Sequence, residues 1–231
     1  MTATLDLRTP ANLRDVGGLT TADGRTIRTG ILLRSDAPRP GDLSPAEPAA
    51  VVDLRSAAET RGDTHPLAEV AEIHEVPMGA SLAPEVIAAT PEEERDLGWA
   101  YRLLVRDAAE QIARIMHVLA SAPAPVLVHC AAGKDRTGIV VATVLTLVGV
   151  PREQVLADYL RTNENLEHLL ARLAAAGRHL PAVSKRLLGV DATALTAVLD
   201  EMESHPDGIR GHLVGHGADP ADLDAIVARL T

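Results

Sequence analysis

The stretch VLVHCAAGKDRTGIV, residues 126–140, contains the only cysteine in a chain of 231 residues. Val126 to His129 is an apolar run of buried-strand type. From Thr137-Gly138 onward, GIVVATVLTLVGV runs to Val150 and reads as a buried helix. The loop from Cys130 to Arg136 must reverse the chain between them. A strand, a glycine-bearing loop and a helix in that order point several backbone N–H groups inward. The helix N-terminus adds its partial positive charge. The expected result is an anion cradle the size of a phosphate.

The same pattern sets the fold class as one reads outward. AAVVDLRS is a short apolar strand ending at Asp53 and Arg55, and VAEIHEVPM alternates well enough for another. TADGRTIRTGILLRS reads as a hairpin turned at Asp23-Gly24. Residues 77–98 suggest one or two short acidic helices, and residues 99–120 predict a single helix ended by Pro123 and Pro125. After Val150 the chain looks helical throughout, with starts at Pro151, Asp191 and Asp219-Pro220. Strands early and helices late predict an α/β fold, a small central sheet flanked by helices with a helical C-terminal part. No repeat or linker divides it, so residues 1–231 are read as a single domain, with about 61–98 as an insertion and about 151–231 as the helical part.

Composition bounds the function. Hydrophobic residues make up 46 %, with no Phe, one Trp and two Tyr, so the core is aliphatic. A net charge of −10 argues against a nucleic-acid partner but leaves an anionic substrate open, because a local field can oppose the net charge. One cysteine cannot form an internal disulfide, so a reducing compartment is expected. The first residues show no signal segment and no run reaches membrane-spanning length. The expected location is cytoplasmic, with signal-less export open; the oligomeric state is not legible.

Within the loop, the cradle field favours a thiolate at Cys130. Arg136 can close the cradle with a planar fork. The Thr137 hydroxyl can donate to the sulfur, and the small residues Ala131, Ala132 and Gly133 let an oxyanion approach the backbone. A thiolate beneath a bound tetrahedral oxyanion is placed for in-line attack on phosphorus. His129 is expected to fix the loop by hydrogen bonds.

HCAAGKDRTG carries the H-C-x5-R-[ST] pattern and resembles the cysteine-dependent protein tyrosine phosphatase superfamily. GKDRTG is similar to the bacterial branch of the protein tyrosine phosphatase B type, some of whose members also act on phosphoserine, phosphothreonine and phosphoinositides. NLRDVGGL, LLRSD, VVDLRS, ADYLRTN and LLGVDATALTAVLDEM follow in the same order as in that branch, so the resemblance covers nearly the whole chain. It implies a phosphoric monoester hydrolase with a phosphocysteine intermediate and no cofactor or metal. Cys130 is then the nucleophile, Arg136 the phosphate clamp, Lys134 an added charge at the mouth, and Asp135 the proton donor. The resemblance implies that Ala131, Ala132, Gly133, Lys134, Thr137 and Gly138 hold the phosphate, and that Asp53 helps bind substrate or transfer protons. Asp53 is equally suited to pairing with Arg55 or Arg34 and supporting the loop from beneath.

The substrate splits three ways: phosphoprotein, phosphoinositide, or a small metabolite or nucleotide phosphate. The paucity of aromatic residues and the short acidic 61–98 segment, where relatives carry a helical lid, favour the last. A phosphate-binding module without turnover is the alternative of a different class. His212 and His216 have the i, i+4 spacing of metal ligands, but glycines interrupt their helix and no Glu sits beside His212, so a surface accident is expected.

Overall fold

The computed structural model describes residues 6–43, 47–79, 97–177 and 188–231. The short acidic helices expected within residues 77–98, and so most of the lid-like insertion, fall largely outside the described residues. The expected α/β fold is present. Its centre is a five-stranded mixed sheet of β1 (Arg14–Asp15), β2 (Leu32–Ser35), β3 (Ala50–Asp53), β4 (Glu72–Glu75) and β5 (Val126–His129), in the order β1-β2-β5-β3-β4. β2, β5, β3 and β4 run parallel, and only the edge strand β1 is antiparallel. β2, β3 and β5 are buried along their whole length, which explains why they read as apolar runs rather than alternating ones. β4 lies at the opposite edge and carries Glu72 and Glu75 outward, charges that discourage further pairing.

The two faces of the sheet are covered differently. Val52, Val126 and Val128 join the main core, which includes Ile112, Ile115 and Met116 of one helix and Ile139, Val140 and Val144 of another. Leu33, Val51 and Leu127 face the other way, onto Leu13, Leu67 and Ala71 from connecting segments and Ile73 of β4. Parallel strands end together, and register pairs Ser35 and Asp53 with His129. The loop after β5 therefore opens where three strands stop, the usual position for a ligand in such sheets.

The α-helices among the described residues are α1 (Ala57–Thr60), α2 (Leu97–Asp107), α3 (Ala109–Ser121), α4 (Asp135–Leu147), α5 (Arg152–Leu160), α6 (Leu166–Ala175), α7 (Ala192–Glu203), α8 (Gly208–Gly215) and α9 (Pro220–Leu230). Three expectations need correction. The single helix read over residues 99–120 is two, because Ala108 leaves helical geometry at φ −107°, ψ 17°. The helix after the loop opens at Asp135, two residues before Thr137. The hairpin at Asp23-Gly24 makes its turn, but its ladder is a single bridge between Thr20 and Thr26.

The late helix starts fall as expected: Pro151 precedes α5, Asp191 caps α7 through Thr193 N–H, and Asp219 caps α9 with Pro220 behind it. Arg229 of α9 donates to the carbonyls of Leu119, Ala120 and Ala122, closing the C-terminus of α3. No described helix is long and apolar enough to cross a membrane.

Candidate active site

Cys130 directly follows β5 and is 3 % exposed, with the loop rising over it to Arg136 in the first turn of α4. The carbonyls of this loop are turned outward and held there. Ala131 O accepts from Ala37 N–H at 3.1 Å, and Ala132 O and Gly133 O accept from Asn12 Nδ2 at 3.3 and 3.0 Å. Gly133 O also accepts from Arg34 Nη2 at 2.9 Å. With the carbonyls outside, the amides face in, and no acceptor among the described residues takes those of Ala131, Ala132 or Gly133.

Gly133 is required twice over. Its φ is 64°, and a Cβ there would lie 2.2 Å from Ser35 O. Gly138 admits the ring of Tyr159, whose Cε2 would lie 2.7 Å from an added Cβ.

A buried charge cluster supports the outer side of the loop. Arg34, fully buried, and Arg14 both bind Asp158, at 2.6 and 2.7 Å. Two guanidiniums share one carboxylate, so a net positive charge is left beneath the cradle. Arg14 accordingly has its pKa lowered to about 10, by burial first and then by repulsion from Arg34. This excess favours an anion in the loop.

Arg136 is fixed by a residue that sequence reading missed. Glu59 takes Nη1 and Nη2 of Arg136 at 2.7 Å each, and Leu54 O takes Nη1 at 3.0 Å. Burial works against the Arg136 charge, but Glu59 and Cys130 outweigh it and raise its pKa. Glu59 also completes a capping box with Ser56 at the start of α1. The Ser56-x-x-Glu59 pattern was the available signal.

Asp135 accepts a short hydrogen bond from the Tyr101 hydroxyl, which lies 2.8 Å from the Tyr159 hydroxyl. Burial first, and Asp135 next, raise the Tyr101 pKa far above its ordinary value, so it stays a donor. Lys134 does not stand free at the mouth. Its Nζ donates to Leu188 O at 2.7 Å and Gly189 O at 3.2 Å, and lies 3.8 Å from Asp135. The expected bond from Thr137 to the sulfur is not made, because Thr137 Oγ1 is buried without a partner.

Asp53 is buried and paired with Arg55. Arg55 binds it through Nε and Nη2, at 2.9 and 2.6 Å, and through its backbone N–H at 3.0 Å. Burial works to raise the Asp53 pKa, yet the Arg55 hydrogen bonds and the neighbouring His129 hold it below the usual carboxylate value. Beside it runs a directed chain. Leu67 N–H donates to His65 Nδ1, His65 Nε2 meets His129 Nε2 at 3.0 Å, and His129 Nδ1 meets Cys130 O at 3.1 Å. The carbonyl requires a proton on His129 Nδ1, so His65 Nε2 is the donor between the rings. Burial lowers the His65 pKa and brings that of His129 down to about 4. His129 thus fixes the loop as expected.

Asp53, His65 and His129 are also the one group of described residues whose donor atoms could surround a metal, all within 4.8 Å of one another. Arg55 already occupies the carboxylate and adds a positive charge, which opposes a cation there. His212 and His216 lie apart from the site, with His216 Nδ1 2.8 Å from His212 O.

A family model described as the tyrosine phosphatase family matches residues 5–231. A protein of Cupriavidus necator named as a tyrosine-protein phosphatase is 32 % identical over 220 residues, covering 85 % of this chain and 77 % of its own. The triple specificity protein phosphatase PtpB of Mycobacterium tuberculosis is 48 % identical over 69 residues, 30 % of this chain and 25 % of its own. A tyrosine-protein phosphatase of Nostoc commune is 36 % identical over 72 residues, 31 % of this chain and 24 % of its own.

Proposed function

The chain belongs to the tyrosine phosphatase family and is a cysteine-dependent phosphatase, and from that premise we propose how its residues divide the work of phosphomonoester hydrolysis. Cys130 attacks phosphorus as a thiolate while Arg136 and the amides from Ala131 to Thr137 hold the equatorial oxygens. The S–P bond forms, the ester P–O bond breaks, and the leaving oxygen takes a proton from Asp135. Water then attacks the phosphocysteine, gives its proton to the Asp135 carboxylate, and releases phosphate and the Cys130 thiolate.

The observation that carries this reading is the inverted loop over Cys130, its carbonyls pinned outside by Asn12, Arg34 and Ala37. Asp135 is the proton donor in preference to Asp53, because Asp53 is 2 % exposed and locked on Arg55. Asp53 therefore acts through Arg55 and the loop. The partner is a phosphorylated substrate. PtpB carries three specificities in its name; for this chain phosphoprotein is the family-level default, and a small metabolite, nucleotide or phosphoinositide phosphate is the alternative. The cytoplasm is the location this reading favours, because the single cysteine cannot form an internal disulfide.

The test is phosphate release from p-nitrophenyl phosphate in the presence of a chelator, for wild type and Cys130→Ser side by side. Turnover that Cys130→Ser abolishes is expected. Turnover that survives in Cys130→Ser, or that the chelator removes, would overturn the assignment.

A further inference from the structure

A cavity of about 610 Å³ opens beside the catalytic loop, with Ala131 on one wall and Glu59, the anchor of Arg136, on another. Three arginines line it: Arg39, Arg55 and Arg61. On a chain of net charge −10 this concentration at one place demands a reason.

Each arginine has donors to spare. Arg55 is held rigid by Asp53 through Nε and Nη2, which leaves Nη1 without an acceptor among the described residues. Arg39 spends one Nη2 bond on the backbone carbonyl of Arg172 and forms no ion pair among the described residues. Burial first, and the neighbouring Arg172 charge next, lower its pKa, against the opposing pull of Asp36 and Asp42. Arg61 makes no side-chain hydrogen bond or ion pair among the described residues. Its backbone sits at φ 56°, the only left-handed non-glycine among them, with Gly62 following at φ 75°. That position closes α1, where glycine is the natural choice. The acidic residues on the wall are Glu59, committed to Arg136, and Asp63.

We propose that this cavity is a second anion subsite, and that the preferred substrates are small soluble phosphomonoesters carrying a second phosphate. The proposal rests on the phosphatase reading and deepens it. One phosphate lies over Cys130 while the other is forked by Arg39, Arg61 and Arg55 Nη1. Solubility follows from the surroundings. None of the exposed large apolar residues described (Leu43, Val70 and Val214) lines the cavity, so its described wall offers a bilayer no exposed large apolar side chain.

The test compares sugar phosphates that differ only by a second phosphate: fructose 1,6-bisphosphate with fructose 6-phosphate, and ribose 1,5-bisphosphate with ribose 5-phosphate. Wild type should favour the bisphosphate in kcat/KM by about tenfold or more on at least one scaffold. Arg39→Ala and Arg61→Ala should each lower that ratio several-fold, and the double variant should bring it near one. The same ratio should appear in Kd measured by calorimetry on Cys130→Ser, where no chemistry intervenes. A wild-type ratio near one on both scaffolds, or a ratio the variants leave intact, overturns the subsite even if p-nitrophenyl phosphate is hydrolysed. A wild type inert towards p-nitrophenyl phosphate overturns the catalytic reading instead, and the Kd ratio still judges the subsite.

Discussion

Glu59 does two things with one carboxylate: it caps α1 through Ser56 and holds the guanidinium of Arg136 in a fork. Glu59→Gln keeps the shape and the cap but removes the charge facing Arg136. It should lower kcat/KM by about 10- to 100-fold and weaken inhibition by inorganic phosphate. Unchanged phosphate inhibition would mean that Arg136 orients itself. Asp135 is tested by the leaving group. Asp135→Asn should cost about 10²-fold or more with an alkyl phosphate and far less with p-nitrophenyl phosphate, whose product needs little protonation. Equal losses on both would remove Asp135 from proton transfer. Cys130, Asp135 and Arg136 were legible because they sit in one contiguous loop. Glu59 and Tyr101 were not, because each reaches the loop from 77 and 34 positions away. A single sequence does not reveal which distant side chain a fold will return.

At the scale of elements, the strands were read from apolar runs, and all four four-residue strands lie within segments the sequence marks. The break between α2 and α3 was missed because Ala108 is a helix former and only tertiary packing turns it aside. The end of β5 is tied to the segment after α1 through His65 and His129, and this link has a pH signature. Burial depresses the folded pKa of His129 to about 4, against an ordinary value of 6.5. The unfolded chain therefore takes up the proton first. The stabilisation is complete above pH 6.5 and is lost as pH falls through about 4. His65 is shifted in the same direction. Urea unfolding from pH 6.5 to 5 should show stability falling with a slope that approaches about 1.4 kcal/mol per pH unit from His129, with His65 adding in the same direction. A flat profile there would place both rings in water.

Across the whole molecule, β1, β2 and α5 are joined by the Arg14–Asp158–Arg34 cluster, which also reaches the loop through Gly133 O. Asp158→Ala would leave two nearly buried guanidiniums unpaired and should destabilise the fold by about 3–5 kcal/mol in chemical denaturation. A loss under about 1 kcal/mol would show that the cluster is hydrated and dispensable. The chain's one thiol lies at the floor of the cradle. Stoichiometry follows from that. One alkylating group per chain is the ceiling, so every label taken up reports on one catalytic centre. The fraction labelled, and its protection by phosphate, would count competent molecules in any preparation without knowledge of the natural substrate.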